Sequence, residues 1–493
     1  MEPSREQSYL RRIAELEHEN AQLRNEVARL QADNARVRAE NAQLHAEVAK
    51  LTEQVAKLTE QVARLSKNSS NSAKPPSSDI VKPPKPQPPK GPRRQGGQPG
   101  HPGVHRPPFR PEQIDRVEQL RPSACPHGHQ GPLVPIGEPK IQQVAELPDK
   151  PLEIIEYHLQ GCRCAACGQV VWPQLPPGVV EGQLFGPRLQ AFMAYMKGGL
   201  HASYTALEEF CRDVLGIDVS RSHLCNAIAR VSDALAAPYQ ELAEHVPTEP
   251  VLNIDETGHK DNGTRYWIWV FCTAAFSFFC IAKSRAAKVL EQVLGKTYGG
   301  TIVSDFFSAY VKYANRLQQF CLAHLIRDIK FLTTLPGPAD KSFGQRLLVD
   351  FKRLFHLWHL RDKVPGERFG SLMLRIRDRV LRLAASCAEG EASESRRLAR
   401  RLVKHGESVF RFLFRAGVEP TNNAAERAVR TAVIDRRITQ GTRSLKGRQW
   451  NERIWTVLGT CRKQGRSAWR FLQEALLAFH GHGPAPSLIP QAT

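Results

Sequence analysis

Three carboxylates stand out by residue type and by position: Asp255, Asp305 and Glu426. Asp255 lies in segment 251–258, an apolar run that ends in an acid and a glycine turn, and Asp305 lies in the similar segment 299–307. Each run predicts a buried strand with its Asp at or just past the carboxyl end, the edge where open α/β sheets carry their chemistry. Two strand-end acids and one helix-borne acid would form a cage of oxygen ligands suited to Mg²⁺ or Mn²⁺. Two such ions can activate a water or a 3′-hydroxyl and stabilise the leaving oxygen of a phosphodiester.

Glu426 belongs to segment 420–430, which predicts a loop that turns into a capped helix. Asn422 and Arg430 stand four residues to either side of Glu426, so all three would share one helix face. By itself such a Glu would be interpreted as a solvated carboxylate paired with Arg430. The two strand-end acids favour a site instead.

These segments resemble the sequence blocks of DDE transposases, and most closely those of the insertion sequence 66 family. The corresponding blocks are Asp-Glu-Thr-Gly at 255–258, Asp-x-x-x-Ala-Tyr at 305–310 and Asn-Asn-Ala-Ala-Glu-Arg at 422–427. The resemblance implies an RNase H-like catalytic core in which the three acids are the catalytic metal ligands. It also implies Mg²⁺ (or Mn²⁺) as cofactor and, as DNA partners, the element's terminal repeats and target DNA.

Four further residues are expected to support this site: Asn422, Asn423, Arg427 and His324. Asn422 would hydrogen-bond the Glu426 carboxylate or a metal-bound water. Arg427, about 100° further round the helix, would face the DNA or the basic loop that follows. His324 stands in a Cys-x-Ala-His block that is similar to one in the family. It could approach the metal site or hold a scissile phosphate, or it could be a hydrogen-bonded histidine at a helix start.

Bulk properties favour a polyanionic partner over a membrane. The 493 residues carry a net charge of +20 and the pI is near 9.7. The longest apolar run, residues 267–282, is shorter than the roughly 20 residues of a spanning helix and fits two strands better. The N-terminal sequence has no signal-peptide pattern, and the eleven cysteines fit a reduced compartment. We therefore expect no membrane association and a cytoplasmic, nucleoid-associated protein.

Residues 9–66 have the pattern of a leucine zipper. The d positions are Leu16, Leu23, Leu30, Val37, Leu44, Leu51, Leu58 and Leu65. The a positions hold β-branched residues at five places and Asn at three, which favours two parallel strands in a homo-oligomer formed through residues 9–66. They are Ile13, Asn20, Val27, Asn34, Asn41, Val48, Val55 and Val62. The other interpretation is a single long helix packed on its own protein.

The following segment, 66–111, is rich in proline with a net charge of +8, so we expect an extended linker that contacts phosphates loosely.

Two cysteine-containing segments predict a structural Zn²⁺ site within residues 121–182. The expected zinc ligands are Cys125, His129, Cys164 and Cys167. The Cys-x-x-Cys-Gly half is typical of a zinc knuckle. The first half departs from the family's usual Cys-x-x-Cys, since a His replaces the second Cys; His127 is an alternative ligand and Cys162 a spare thiol. The competing interpretation is a degenerated knuckle that binds no metal.

Residues 183–245 predict helices at 184–199, 203–215 and 221–236, the last two separated by a glycine turn. Such spacing is typical of a helix-turn-helix whose second helix would present Arg221, Ser222, His223 and Asn226 to a DNA groove. A small helical bundle that joins domains is the other interpretation.

The remainder of the chain completes the predicted core. Strands are expected at 266–272, 276–282 and near 319–321, and a helix at 285–294. Because 121 residues separate Asp305 from Glu426, far more than such a core needs, we expect a helical insertion before the Glu426 helix.

The C-terminal part of the chain, from residue 427 onwards, has a net charge of +9. It predicts a flexible cationic loop around Gly441 and Gly447 that contacts phosphates. The predicted DNA-binding cations here are Arg436, Arg437, Arg443, Lys446 and Arg448. Trp450 and Trp455 are expected in the core rather than stacked on bases.

The predicted fold is therefore multidomain α/β: an RNase H-like mixed-sheet catalytic core with a helical insertion, preceded by a parallel coiled coil, a zinc-knuckle domain and a helical, helix-turn-helix-like domain. The expected boundaries are 1–66 (leucine-zipper coiled coil), 67–120 (Pro-rich basic linker), 121–182 (zinc knuckle), 183–246 (helix-turn-helix-like), 247–334 (first part of the core), 335–415 (helical insertion), 416–445 (catalytic Glu helix) and 446–493 (basic C-terminal helical region). The expected function is transposition of a bacterial-type insertion sequence, by metal-dependent strand cleavage and 3′-hydroxyl strand transfer at the element ends. The alternative is a non-enzymatic or inactivated DNA-binding regulator, which leaves the three ordered acidic blocks without an explanation.

Overall fold

A computed structural model describes residues 5–67, 107–123, 126–128, 130, 132–314, 317–389 and 393–490. The chain divides into two compact units. The first comprises Met1–Pro83, Glu241–Arg436 and Ile489–Thr493, and the second comprises Pro84–Gln240 and Arg437–Leu488. The eight finer boundaries predicted above stay a prediction. In the described part of the chain, no helix is both long enough and apolar enough to cross a membrane.

Helices outnumber strands in the described part of the chain. In chain order, the helices are α1 (Arg5–Leu65), α2 (Pro187–Gly199), α3 (Tyr204–Asp213), α4 (Arg221–Ala234), α5 (Ala236–His245), α6 (Lys288–Leu294), α7 (Ser308–Tyr313), α8 (Leu322–Leu332), α9 (Pro338–His359), α10 (Gly366–Ala388), α11 (Ser393–Lys404), α12 (Gly406–Val409), α13 (Asn423–Thr439), α14 (Leu445–Lys463) and α15 (Ala468–Phe479). The strands are β1 (Cys162–Arg163), β2 (Val170–Val171), β3 (Val251–Asp261), β4 (Thr264–Cys272), β5 (Ser277–Ala282), β6 (Thr301–Ser304) and β7 (Gln318–Phe320).

Helix α1 is continuous over the predicted zipper, and its d side chains are exposed. Their exposed fractions run from 42% at Leu16 to 86% at Leu65. Exposed leucines along the whole seam disagree with a helix packed lengthwise on its own chain. The C-terminal end of α1 and the residues just after it contact the rest of the first unit: Ala63 packs on a hydrophobic cluster, and Lys67 Nζ lies 3.8 Å from the centroid of the Phe331 ring. An exposed apolar stripe of this length favours pairing with the same stripe of a second copy, and this pairing stays a prediction.

A mixed five-stranded sheet forms the centre of the first unit, with strand order β5-β4-β3-β6-β7. Strands β3, β4 and β5 pair antiparallel, whereas β6 pairs parallel to both β3 and β7. Strand β3 alternates burial along its length, with Leu252, Ile254 and Glu256 facing inward. A mixed sheet flanked by helices is compatible with the predicted RNase H-like core.

Strand β3 corrects one detail of the prediction, because it does not end in a turn at Gly258. It pairs with β4 without interruption as far as Asp261, and the turn comes at Asn262 and Gly263, whose φ angles are +46° and +80°. Two consecutive positive φ angles are what a tight hairpin turn requires. The parallel partner β6 covers only Val251 to Asn253, so Asp255 still lies just beyond the parallel pairing.

The helical insertion shares a hydrophobic core with the edge of the sheet. Val303 of β6 and Phe320 of β7 belong to one buried cluster with Leu325 and Ile329 of α8. The same cluster continues through α9, α10, α11 and α12, with members such as Phe351, Val380, Leu402 and Val409. The insertion is therefore packed onto the two strands that follow β3 in the sheet.

The second unit is largely helical, with α2, α4, α14 and α15 packed together. Gly198 of α2 lets the helices approach closely, since a Cβ there would lie 2.3 Å from Cγ1 of Ile454 in α14. Helices α3 and α4 begin at side-chain caps from Ser203 and Ser220, as the predicted helix-turn-helix requires. Helix α4 buries one face in the bundle and exposes Arg221 and Asn226, so its structure agrees both with a helical bundle and with a DNA-reading helix.

The predicted flexible cationic loop is mostly helical, so that expectation was wrong. Helix α13 continues to Thr439 and α14 begins at Leu445, capped by the Ser444 side chain. Trp450 and Trp455 are buried, which confirms the core interpretation for both. Glycines at 441 and 447 suggested flexibility, but a side-chain cap and two buried indoles order the segment.

The Cys164 segment forms the kind of turn that a zinc knuckle needs. Strands β1 and β2 pair antiparallel, and between them the Gly168 N–H donates to the Cys164 carbonyl over 2.8 Å. Backbone N–H groups of Cys167 and then Ala166 lower the pKa of the Cys164 thiol, which favours the thiolate that Zn²⁺ binds. Cys125 and His129 lie outside the described residues. One half of the site therefore has suitable geometry, and zinc binding stays a prediction.

Pairing along the zipper is tested by Leu30→Glu together with Leu44→Glu. Each buried leucine would contribute about 1.5–3 kcal/mol to a dimer, so placing charges at two d positions per chain should leave a monomer at micromolar concentration. Sedimentation equilibrium measures the mass. The matched control is Ala32→Glu with Ala46→Glu, which adds the same charge on the opposite helix face. If the seam variant keeps the wild-type mass, the chain associates elsewhere.

Zinc binding is tested by Cys164→Ser, which removes one thiolate ligand. We expect it to lose one zinc ion per chain and to destabilise residues 121–182, because so small a unit depends on its metal. Elemental analysis of protein purified without chelators gives the metal content. Cys162→Ser serves as control and should retain zinc. Wild-type protein without zinc would overturn the prediction.

Candidate active site

Three separate elements carry the three predicted acids. Asp255 lies within β3, Asp305 directly follows β6, and Glu426 lies in the first turn of α13. Burial raises the pKa of Asp255 well above its ordinary value, and the nearby charges of Glu256, Asp305 and Glu426 raise it further. The acids from these distant parts of the sequence are thus close enough to repel one another.

Backbone donors hold the two aspartates in place. The Glu256 N–H donates to Oδ1 of Asp255 over 2.9 Å, and the Phe307 N–H donates to Oδ1 of Asp305 over 2.9 Å. Each bond engages one carboxylate oxygen and thereby restricts the side-chain rotamer. Both carboxylates are therefore oriented by the chain segment that immediately follows them.

Asn422 joins the start of the Glu426 helix to strand β3. Its Nδ2 donates to the Ile254 carbonyl over 2.8 Å, and its Oδ1 accepts from Asn253 Nδ2 over 3.0 Å. Its backbone N–H also donates to Cys321 Sγ over 3.2 Å. This corrects the expectation that Asn422 bonds the Glu426 carboxylate. It precedes the first helical residue, so it does not share the helix face; it positions Glu426 through the backbone instead.

Cys321 and His324 lie beside Glu426, and both are nearly buried. The ligand atoms of the three residues lie within 4.8 Å of one another, and His324 Nδ1 is 3.4 Å from Glu426 Oε1. Burial, followed by the charge of Arg327, lowers the pKa of His324, so its imidazole is neutral near pH 7. Burial raises the pKa of the Cys321 thiol to about 11. The Cys-x-Ala-His block thus places a neutral imidazole next to the third acid.

Glu256 is a site residue that the sequence did not identify. Its side chain is 2% exposed, and both Nε and Nη2 of Arg285 donate to Oε1, over 2.9 and 2.6 Å. The Tyr310 hydroxyl donates to Oε2. Burial and then the Asp305 charge raise the pKa of Glu256 to about 7 in spite of these partners. The Glu of the first block therefore binds the Tyr of the second block, which locks β3 to the helix that follows Asp305.

The other predicted residues lie apart from this centre. Asn423 and Arg427 are exposed on α13. Arg436 donates to Thr257 Oγ1 over 3.2 Å and to the Gly258 carbonyl, so its guanidinium is tied to β3. The remaining predicted DNA-binding residues belong to the second unit. On α4, Arg221 and Asn226 are exposed. Further along the chain, Arg437, Arg443 and Lys446 are exposed and Arg448 is half-buried. DNA contact by any of these residues stays a prediction.

The donor set at the acids fits a hard divalent cation. Carboxylate oxygens are the ligands that Mg²⁺ and Mn²⁺ prefer, and a cation would offset the burial and the neighbouring negative charges that raise the pKa of Asp255. The thiol and imidazole beside Glu426 would suit a softer ion such as Zn²⁺. Asp255, Asp305 and Glu426 are accordingly the residues that could hold Mg²⁺ or Mn²⁺.

Comparison with known proteins adds the family. A family model described as "Transposase IS66 family" matches residues 182–449, and one described as "Family of unknown function (DUF6444)" matches residues 2–107. Among curated proteins, "Uncharacterized protein y4hP" of Sinorhizobium fredii (strain NBRC 101917 / NGR234) is 23% identical over 76% of this chain and 75% of its own length. "Uncharacterized protein y4qI" of the same strain is also 23% identical, over 76% of this chain and 74% of its length. The family match covers all three acidic blocks.

The role of Asn422 is tested by Asn422→Asp. The carboxylate cannot donate to the Ile254 carbonyl and would place two acceptors face to face, so we expect a loss of about 1–3 kcal/mol in the free energy of unfolding. Denaturant titration measures it. Asn423→Asp makes the same chemical change at an exposed position and should have little effect. Equal stability of the two variants would reduce Asn422 to a helix cap.

Proposed function

The chain belongs to the IS66 family of transposases, and from this premise we propose that it cleaves DNA strands at the ends of a bacterial-type insertion sequence and joins the resulting 3′-hydroxyl to target DNA. One observation carries the proposal. Acids from β3, from the end of β6 and from α13 lie near one another although up to 171 residues separate them in sequence. Burial raises the pKa of Asp255, and the neighbouring negative charges raise it further. A stable fold accepts such an arrangement where a cation binds.

Asp255, Asp305 and Glu426 would hold the divalent ions. When bound, a pair of such ions lowers the pKa of a water or 3′-hydroxyl nucleophile and stabilises the charge on the leaving oxygen. The carboxylates themselves fix where the ions can lie, because the N–H groups of Glu256 and Phe307 restrict the two aspartates. No nucleophilic side chain is required for this chemistry, so we assign none.

The surrounding side chains orient these acids and serve the substrate. Asn422 fixes the start of α13, and Glu256 with Tyr310 and Arg285 fixes the segment after Asp305. His324 is neutral, so it can donate one hydrogen bond to a phosphate oxygen without adding to the local charge. Asn423 and Arg427, exposed on the same helix, are proposed to contact DNA near the site.

The other parts of the chain would assemble and position the enzyme. We assign homo-oligomer formation to the exposed seam of α1, and structural Zn²⁺ to Cys164 and Cys167 with Cys125 and His129. Helix α4, with Arg221 and Asn226, is proposed to read the terminal repeats. The cations Arg437, Arg443, Lys446 and Arg448 are proposed to bind phosphates without regard to sequence.

The decisive experiment is strand cleavage of DNA that carries the flanking element ends, in Mg²⁺ or Mn²⁺. Asp255→Asn and Asp305→Asn each remove a ligand charge with little change in shape. Losing several kcal/mol of metal stabilisation corresponds to a rate about 10²–10⁴-fold lower, while end binding is retained. Asp362→Asn, an exposed acid between α9 and α10, is the matched control and should cleave normally.

Two outcomes would count against the proposal. Undiminished cleavage by either active-site variant would remove that aspartate from the ligand set. If wild-type protein binds element ends but cleaves none with either metal, the chain is a DNA-binding regulator or an inactive transposase.

A further inference from the structure

A cleft between helices α9 and α10 of the insertion is lined by arginines. It has a volume of about 520 Å³ and lies apart from the residues of the acidic site. Its lining residues are Arg346, Val349, Asp350, Arg353, Arg379, Arg382, Leu383 and Ser386. Four guanidinium groups against one carboxylate leave this cleft strongly cationic.

The single carboxylate of the cleft is committed to one of the four arginines. The Asp350 side chain is 7% exposed and pairs with Arg379, whose side chain is 45% exposed. In the described part of the chain, Arg346, Arg353 and Arg382 form no ion pair, and all three are exposed. Asp350 thus anchors one side of the cleft, while three cations remain directed at solvent or at an anionic partner.

The spacing of these cations suits a phosphate backbone. Arg346 and Arg353 are two turns apart on α9, which corresponds to about 10.5 Å along the helix. A DNA strand advances about 3.4 Å per phosphate along the duplex axis, so this distance spans about three phosphates. Arg382, on α10, lines the opposite wall. Two arginines on one wall and one on the other, none with an ion-pair partner in the described residues, therefore line the cleft.

We propose that this cleft is a second DNA-binding site of the chain, which grips the phosphate backbone through Arg346, Arg353 and Arg382 without reading its sequence. The inference rests on the proposed function only in taking DNA as the polyanion. Rigid support comes from the core that α9 and α10 share with strands β6 and β7. A duplex held here would be fixed with respect to the sheet that carries the acids.

The test measures binding of a duplex of arbitrary sequence over a range of salt concentrations, with divalent ions chelated so that cleavage plays no part. The variant is Arg346→Ala, Arg353→Ala, Arg382→Ala, with Arg379 kept because it neutralises buried Asp350. Each lost phosphate contact lowers the slope of log K against log salt by about 0.9, so we expect a slope shallower by about 2–3 and uniformly weaker binding.

The matched control is Lys341→Ala, Lys363→Ala, Arg368→Ala. These three cations are exposed on the same helices or between them, outside the cleft, and the control loses the same charge. It should keep nearly the wild-type slope. Equal slopes for cleft and control variants would overturn the inference, whether or not the wild-type protein cleaves DNA.

A second measurement needs no variant and so does not depend on folding. Modification of wild-type arginines by phenylglyoxal, with and without the duplex, reports which guanidinium groups the DNA covers. We expect DNA to protect Arg346, Arg353 and Arg382 but not Arg368. Equal reactivity of the cleft arginines in both states would likewise overturn the inference.

Discussion

Repulsion among carboxylates is the constraint on which the rest of the first unit depends. Two unit charges about 5 Å apart repel by about 3 kcal/mol at an effective dielectric constant of about 20, and here Asp255, Asp305, Glu426 and the buried Glu256 share one region. Without compensating contacts, such carboxylates would move apart or take up protons. Here backbone N–H groups donate to both aspartates, and Glu256 accepts two hydrogen bonds from Arg285 and one from Tyr310. These bonds satisfy Glu256.

The division of labour between Asp255 and Glu256 follows from the alternation of a β-strand. Adjacent residues point to opposite faces of the sheet, so Glu256 turns inward where Asp255 faces the site. The inward carboxylate would be destabilising without a partner, and Arg285 and Tyr310 supply that partner. Two consecutive acids thus serve different ends, one available for ligand binding and the other for anchoring the segment after Asp305.

Local pattern predicted the elements well, whereas contacts between distant segments could not be read from it. Apolar runs and turn residues placed the strands around Asp255 and Asp305, and the helical character of the chain between β7 and α13 and the burial of Trp450 and Trp455 were also predicted. The length of β3 was missed because its pairing with β4, not its own composition, decides where it ends. The bonds of Asn422 to Ile254 and of Tyr310 to Glu256 join residues 168 and 54 positions apart. Helix and strand periodicities relate residues only a few positions apart, so they could not predict these bonds.

The two ends of the helical insertion are held together, which explains how 121 residues can separate Asp305 from Glu426 in sequence while both lie near Asp255. Loop entropy grows only logarithmically with length, so the size of the insertion matters less than how its ends are joined. The Leu322 N–H donates to the Pro420 carbonyl over 2.9 Å, and the Asn422 N–H donates to Cys321 Sγ. The chain leaves the sheet after β7 and returns to the same point before Glu426. The helices between also pack on Val303 and Phe320, so the insertion buries the strand that leads into Asp305.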